Sequence, residues 1–284
     1  MPTQPRAALT RTSFAAMRLS GAALFAMASI ASLATSQVSR AQPPTASATA
    51  AAAAAKPTIV LVHGAFANAS SWARVIPLLQ RDGYSVVAVE NPLTSLETDI
   101  ATTRRVIEAQ AGPVVAVGHS YGGAVVTAAA AGSAKVKALV YVAALAPDSA
   151  EAVAAFLDKY PAPLGKALVP DAAGFLYVKP ALLRDVFAAD LPRRETDVMA
   201  ATQKPINGAS FAATLSAAAW KQIPSWYLVA TNDRSINPEL ERFYAKRMHA
   251  HTTEIASSHV PFLSHPAAVA RLIEQAANAS QAER

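Results

Sequence analysis

Gly118-His119-Ser120-Tyr121-Gly122 places a serine between two glycines at the G-x-S-x-G spacing. Such a match arises by chance about once in ten chains of this length, so its surroundings carry the reading. The apolar run PVVAV precedes it, and the small-residue stretch Tyr121-Gly122-Gly123-Ala124 follows. A sharp turn from a buried strand into a helix would force Ser120 into strained φ/ψ, and glycines on either side keep the neighbouring backbone clear. The N-terminus of the following helix would then aim free N–H groups and its dipole at a developing oxyanion. This is the equipment of a hydroxyl that attacks a carbonyl.

Such a nucleophile needs a base, and the base needs a group that orients it. Six histidines are available. His119 adjoins Ser120 in the turn and cannot swing round to its neighbour's Oγ. His63 reads as ordering the loop it begins, His249 and His251 as solvated, and His265, before Pro266, as capping a helix. His259 lies in Ala256-Ser257-Ser258-His259-Val260-Pro261, just after the last apolar run, at the edge of a parallel sheet where ligands bind. It is the candidate base. Asp233 and Asp148 both follow strand-like runs; Asp233 sits one strand from His259 and is the favoured acid, whereas Asp148 could simply cap the segment it opens. Of the two N–H donors an oxyanion needs, Tyr121 supplies one. The loop His63-Gly64-Ala65-Phe66 supplies the other, with Ala65 the first choice and Phe66 the second.

These residues require a particular scaffold. Short, nearly continuous apolar runs occur at Thr58 to Val62, Ser85 to Glu90, Pro113 to Gly118, Ala138 to Leu145, Trp226 to Thr231 and Thr252 to Ser257. They read as parallel strands covered on both faces. Helical segments are expected at Ser71 to Arg81, Leu96 to Ala111, Tyr121 to Ala131, Pro238 to Ala250 and Pro266 to Ala279, with Gly, Gly-Pro or a leading Pro marking several ends. The order predicts an α/β architecture: a mostly parallel central sheet with helices on both faces. A helical lid is expected at about residues 148–224, inserted after the fourth strand.

The 284 residues carry a net charge of +6, 52% hydrophobic and 15% charged residues, and no Cys. Disulfides, thiolate metal sites and a cysteine nucleophile are thereby excluded. Arg6, Arg11, Arg18 and Arg40 lie in the first 41 residues, which contain no Asp or Glu, and the remainder holds 21 basic against 19 acidic residues. The body is nearly neutral, so no polyanion or nucleic-acid partner is expected. The leader joins a basic start to the uncharged stretch Leu19 to Ala34 and then Ser39-Arg40-Ala41. It predicts a signal peptide over residues 1–41, cleaved after Ala41, with no stable membrane anchor remaining. An Ala/Pro-rich linker over residues 42–57 would lead to a single domain over 58–284, exported to a bacterial periplasm or medium.

The segments HGAFANASSW (63–72), VGHSYGG (117–123), TNDRSINPELERF (231–243) and SSHVPFLSHP (257–266) resemble those of the α/β-hydrolase superfamily. The likeness extends over nearly all of Thr58 to Ala279. It is greatest to the small-ester branch that contains plant methyl-ester esterases and hydroxynitrile lyases. The resemblance implies Ser120 as nucleophile, His259 as base and Asp233 as its acid, with Ala65 and Tyr121 as oxyanion donors and no metal or organic cofactor. Hydroxynitrile lyases carry a Lys after the histidine and a Thr ahead of the HG turn; here Val260 and Val60 stand there. The implied activity is hydrolysis of small-to-medium carboxylic esters. Cofactor-free perhydrolases and receptor-like hydrolases that keep the same three residues are the alternatives.

Overall fold

The computed structural model describes residues 56–282; the expected signal peptide, and all but the end of the expected linker, lie outside the described residues. Four strands come first: β1 (Thr58–Val62), β2 (Val86–Val89), β3 (Val114–Ser120) and β4 (Val136–Ala144). The helices α1 (Ile76–Arg81), α2 (Leu96–Glu108) and α3 (Tyr121–Ala129) connect them. After β4 comes an insertion with helices α4 (Leu164–Ala167), α5 (Pro180–Phe187), α6 (Arg193–Thr202) and α7 (Ala209–Ala212). It also holds the strands β5 (Leu168–Pro170), β6 (Phe175–Val178) and β7 (Ile206–Asn207). The chain ends with β8 (Ser225–Ala230), α8 (Pro238–Arg247), β9 (His251–Ile255), α9 (Pro261–Ser264) and α10 (Pro266–Ala282).

Six strands pair in parallel in the order β2-β1-β3-β4-β8-β9. Every residue of β1 except Thr58, and every residue of β3 and β8, is buried. Burial of successive residues, rather than alternate ones, means both faces are covered. Each fully buried Val or Leu contributes about 1.5–3 kcal/mol, so β1, β3 and β4 anchor the fold. Helix α3 packs on β1, β3 and β4, and α10 on β3, β4 and β8. Among the described residues no helix is long and apolar enough to cross a membrane.

Three local outcomes differ from the sequence reading. The expected helix from Ser71 divides into a short 3-10 turn, Ala69–Trp72, and α1, because the Asn68 side chain accepts the Ser70 N–H and Pro77 favours a fresh helix start. Strand β9 is exposed along most of its length, as the sheet edge permits, where a strand covered on both faces was expected. The insertion carries its expected helices together with an antiparallel sheet β5-β6-β7. The turn at Gly174 (φ +81) joins β5 to β6 in a conformation that glycine adopts at no steric cost.

Among the contacts that tie the insertion to the body, the surround of Arg247 joins its two ends to α8. The Arg247 guanidinium, at the end of α8, lies 5.6 Å from the Phe156 ring centre and 5.3 Å from that of Trp220, both in the insertion. It is 5.1 Å from Phe243 and 5.2 Å from Tyr244, its neighbours on α8. The same group donates to Glu151 at 2.7 Å and to the Ala146 carbonyl at 2.7 Å. A planar cation can stack and donate at once, which suits arginine here.

Candidate active site

Ser120 ends β3 and opens α3 with φ 53 and ψ −127, a left-handed backbone that a non-glycine residue holds only under strain. The surrounding glycines are enforced by packing. A Cβ on Gly122 would sit 2.6 Å from the His63 carbonyl oxygen, and one on Gly123 would sit 2.4 Å from that of Leu145. The expected turn is therefore present, with the strain on the serine itself.

His259 lies in the loop after β9 and Asp233 in the loop after β8, both at the C-terminal edge of the sheet with Ser120. The three side chains are brought together. His259 Nε2 is 2.9 Å from Ser120 Oγ, and His259 Nδ1 is 2.5 Å from Asp233 Oδ2. The second carboxylate oxygen, Oδ1, accepts the Ser235 N–H at 2.6 Å and the Ile236 N–H at 3.0 Å. The His259 and Asp233 side chains are fully enclosed. Phe187, from α5, places its ring 4.9 Å from that of His259, nearly edge-on.

Asp148 is elsewhere. It pairs with Lys221 Nζ at 2.5 Å and accepts the Ser149 N–H at 2.5 Å, as a residue fixing the start of the insertion does.

The other histidines divide as their surroundings dictate. His63 donates from Nδ1 to the Gly64 carbonyl at 2.8 Å and accepts the Asn91 N–H at Nε2, 3.1 Å away, so it orders its loop. Burial holds its pKa below the ordinary histidine value, which suits a neutral ring with one donor and one acceptor nitrogen. His119 is fully buried and donates from Nε2 to the His259 carbonyl at 2.9 Å. Desolvation first, and then the nearby His259, keep it well below the usual range and hence neutral. His249 and His251 are exposed. Among the described residues no group of three or more His, Asp or Glu side chains is arranged to hold a metal ion.

The loop 63–66 lies directly against Ser120, since a Cβ on Gly64 would come within 2.7 Å of the Ser120 Cβ. Ala65 and Phe66 are buried, and Phe66 has φ 63. Neither of their N–H groups has a hydrogen-bond acceptor among the described residues. Tyr121 is the first residue of α3, where an amide has no intrahelical acceptor. Its hydroxyl is anchored on Asp99 Oδ2 at 2.8 Å. Two cavities meet at Phe66. One, of about 500 Å³, is lined by Leu157, Leu176, Phe211 and Ser235; the other, of about 560 Å³, by Ser71, Val198, Met199 and Leu263.

The model of the alpha/beta hydrolase family matches residues 59–272, three-quarters of the chain. The chain belongs to the alpha/beta hydrolase family. Among its relatives is an alpha-hydroxynitrile lyase of Arabidopsis thaliana, 35% identical over 115 residues; the match covers 36% of this chain and 45% of that protein. Methylesterase 8 of Arabidopsis thaliana is 25% identical over 215 residues, covering 66% of this chain and 76% of its own. The crystal structure of a pyrethroid hydrolase from Sphingobium faniae superposes with a TM-score of 0.70 at 22% identity, covering 78% of this chain and 98% of that one. At that identity the likeness speaks for the fold, and within this alpha/beta hydrolase the chemistry has to be argued from the residues.

Two side chains at the site had no place in the sequence reading. Asp190 reaches it from the turn between α5 and α6, and Glu241 from α8, positions where an acid reads as solvated surface. For Glu241 a signal existed: Leu240, Glu241, Tyr244 and Ala245 share one face of α8, and that face is buried.

Proposed function

We propose that this alpha/beta hydrolase is a carboxylic ester hydrolase working through an acyl-Ser120 intermediate. The observation that carries the reading is the continuous hydrogen-bonded chain from Ser120 Oγ through the His259 ring to Asp233. Ser120 Oγ attacks the ester carbonyl carbon while His259 Nε2 takes its proton. Asp233 holds the Nδ1–H tautomer, which leaves Nε2 free to accept. The oxyanion is received by the N–H of Tyr121 and that of Ala65 or Phe66, groups that need no reorganisation as charge develops. His259 then protonates the departing alkoxide, and water, activated by the same ring, releases the acid.

Apolar cavities on either side of Phe66 suit an ester whose acyl and alcohol portions are both small to medium and uncharged. A methylesterase and a pyrethroid hydrolase among the relatives agree with that class. Val260, after His259, carries no charge, which favours hydrolysis over a lyase reaction. The leader over residues 1–41 is read as an export signal, which places this chemistry outside the cytoplasm.

The test uses p-nitrophenyl esters of increasing acyl length and a fluorophosphonate label. Wild type should turn over short and medium esters and gain one label mass, and Ser120→Ala should do neither. Turnover that survives Ser120→Ala overturns the assignment.

A further inference from the structure

Glu241 is a fully buried carboxyl group that the proposed reaction leaves unused. It projects from the first turn of α8, and its Oε2 accepts the Ala230 N–H at 3.0 Å, where β8 ends. Its Oε1 has no hydrogen-bond partner of the ordinary donor-to-acceptor kind among the described residues. What faces the side chain is the carboxylate of Asp233, within side-chain hydrogen-bonding reach. Two carboxyl groups can share such a bond only when one of them carries a proton.

The donors decide which one does. Asp233 receives the Ser235 and Ile236 N–H groups and the His259 Nδ1–H. Glu241 receives one N–H. Other charged or titratable neighbours do not compensate. Arg242 is engaged by Glu239 at 2.6 Å and by Glu254 at 2.6 Å. Tyr227 donates its hydroxyl to the Ala144 carbonyl, and Tyr244, on α8 itself, is a neutral phenol. The N-terminal turn of α8 favours negative charge only modestly. Desolvation opposes it, and so does the adjacent carboxylate.

We propose that Glu241 is a positioning residue of the site, a neutral carboxylic acid whose O–H donates to Asp233. Burial first, and the neighbouring Asp233 charge second, push the Glu241 carboxyl well above the ordinary range. The two oxygens of Asp233 offer about four acceptor positions. Ser235, Ile236 and His259 take three, and the Glu241 proton takes the fourth. The carboxylate is thus held against rotation, and its charge is spread before His259 must become an imidazolium.

The inference rests on the proposed esterase reading, so its test includes readouts that need no turnover. The acid limb of kcat/KM on p-nitrophenyl acetate is compared for wild type, Glu241→Gln and Glu241→Leu, and the His259 ring is titrated by NMR in each. The amide of Glu241→Gln still donates to Asp233 and accepts from Ala230, so its limb should stay within about 0.2 pH unit of wild type. Glu241→Leu removes the donor and concentrates charge on Asp233, which should move the limb up by about 0.5–1 unit. A limb that falls by about a unit in Glu241→Gln means Glu241 is ionised in the wild type and overturns the proposal. So does an unmoved limb in Glu241→Leu, which is the mark of a merely structural role. Should Glu241→Leu not fold, the infrared spectrum decides: a carboxylic C=O band at pH 7, lost in Glu241→Gln, is expected, and its absence from the wild type is fatal. Inactivity towards esters alongside that band would sink the esterase reading and leave the inference standing.

Discussion

The carboxylate of Asp190, in the insertion, accepts the backbone N–H of Ser258 at 2.9 Å, one residue ahead of His259. It also accepts the Ser258 hydroxyl, and the Ser257 hydroxyl at 3.1 Å. Burial alone would push the Asp190 carboxyl up, but the hydrogen bonds from Ser258, with Ser264 and Ser257, together hold it below the ordinary carboxylate value. The insertion thereby sets the loop that presents the His259 ring.

Asp190→Ala should therefore lower kcat/KM by about tenfold through a misplaced ring. The stability cost should be small because the group is partly exposed. A lowered folded-state pKa contributes stability above the ordinary Asp range and loses it as pH falls through the folded value. The gap in denaturation midpoint between wild type and Asp190→Asn should accordingly close on acidification. An Asp190→Ala enzyme with wild-type kcat/KM would show that the insertion does not set the loop.

The two aspartates of the sequence reading separate cleanly. Asp233→Asn keeps its volume but favours the wrong imidazole tautomer, and kcat should fall by up to ~10⁴. Asp148→Asn weakens the contact with Lys221, which the reaction does not use, and activity per folded molecule should stay within a few-fold. Steady-state rates on one short-chain ester, with folding matched by circular dichroism, check both. The reverse order would move the acid to Asp148.

Glu241 should leave its signature in stability as well as in rate. Its folded-state pKa is raised, so the folded chain binds more protons than the unfolded chain once pH exceeds the ordinary Glu range. Stability from this group is complete below about pH 4.3 and declines above it by up to about 1.4 kcal/mol per pH unit, until folded Glu241 ionises. Glu241→Gln has no such proton to keep. The difference in unfolding free energy between variant and wild type should move steadily in the variant's favour from pH 4.5 to 7, measured in urea. A constant difference would mean Glu241 titrates normally.

The leader yields a prediction of its own. Intact-mass analysis of protein recovered from the periplasm or medium should find an N-terminus at or near Gln42. A species still carrying the stretch from Met1 to Arg18 would defeat the export reading.

The strands were legible because unbroken runs such as TIVLV and VVAV leave little choice but a sheet covered on both faces. The Ser120 turn was legible because its glycines stand where a Cβ has no room. Ser120, His259 and Asp233 could be read together because each stands at the end of a strand or in the loop that follows one, at the same sheet edge. Strand β9 (HTTEI) carries so little apolar character that only its place beside β8 explains it. The sheet β5-β6-β7 is built from pairs such as Leu176 with Ile206, which are far apart in sequence and carry no strong local pattern. The partners of Asp190 and Glu241 were illegible for a related reason: tertiary contacts create them, and only the buried face of α8 hinted at Glu241.

The aromatic surround of Arg247 has a consequence for how the molecule breathes. Phe156 and Trp220 stand near the two ends of the insertion, and Phe243 and Tyr244 lie on the helix that also carries Glu241. Pulling either end of the insertion away uncovers a cation and four rings together, so those ends and α8 should exchange their amides as one cooperative unit. An opening at either root of the insertion would therefore disturb the helix that carries Glu241.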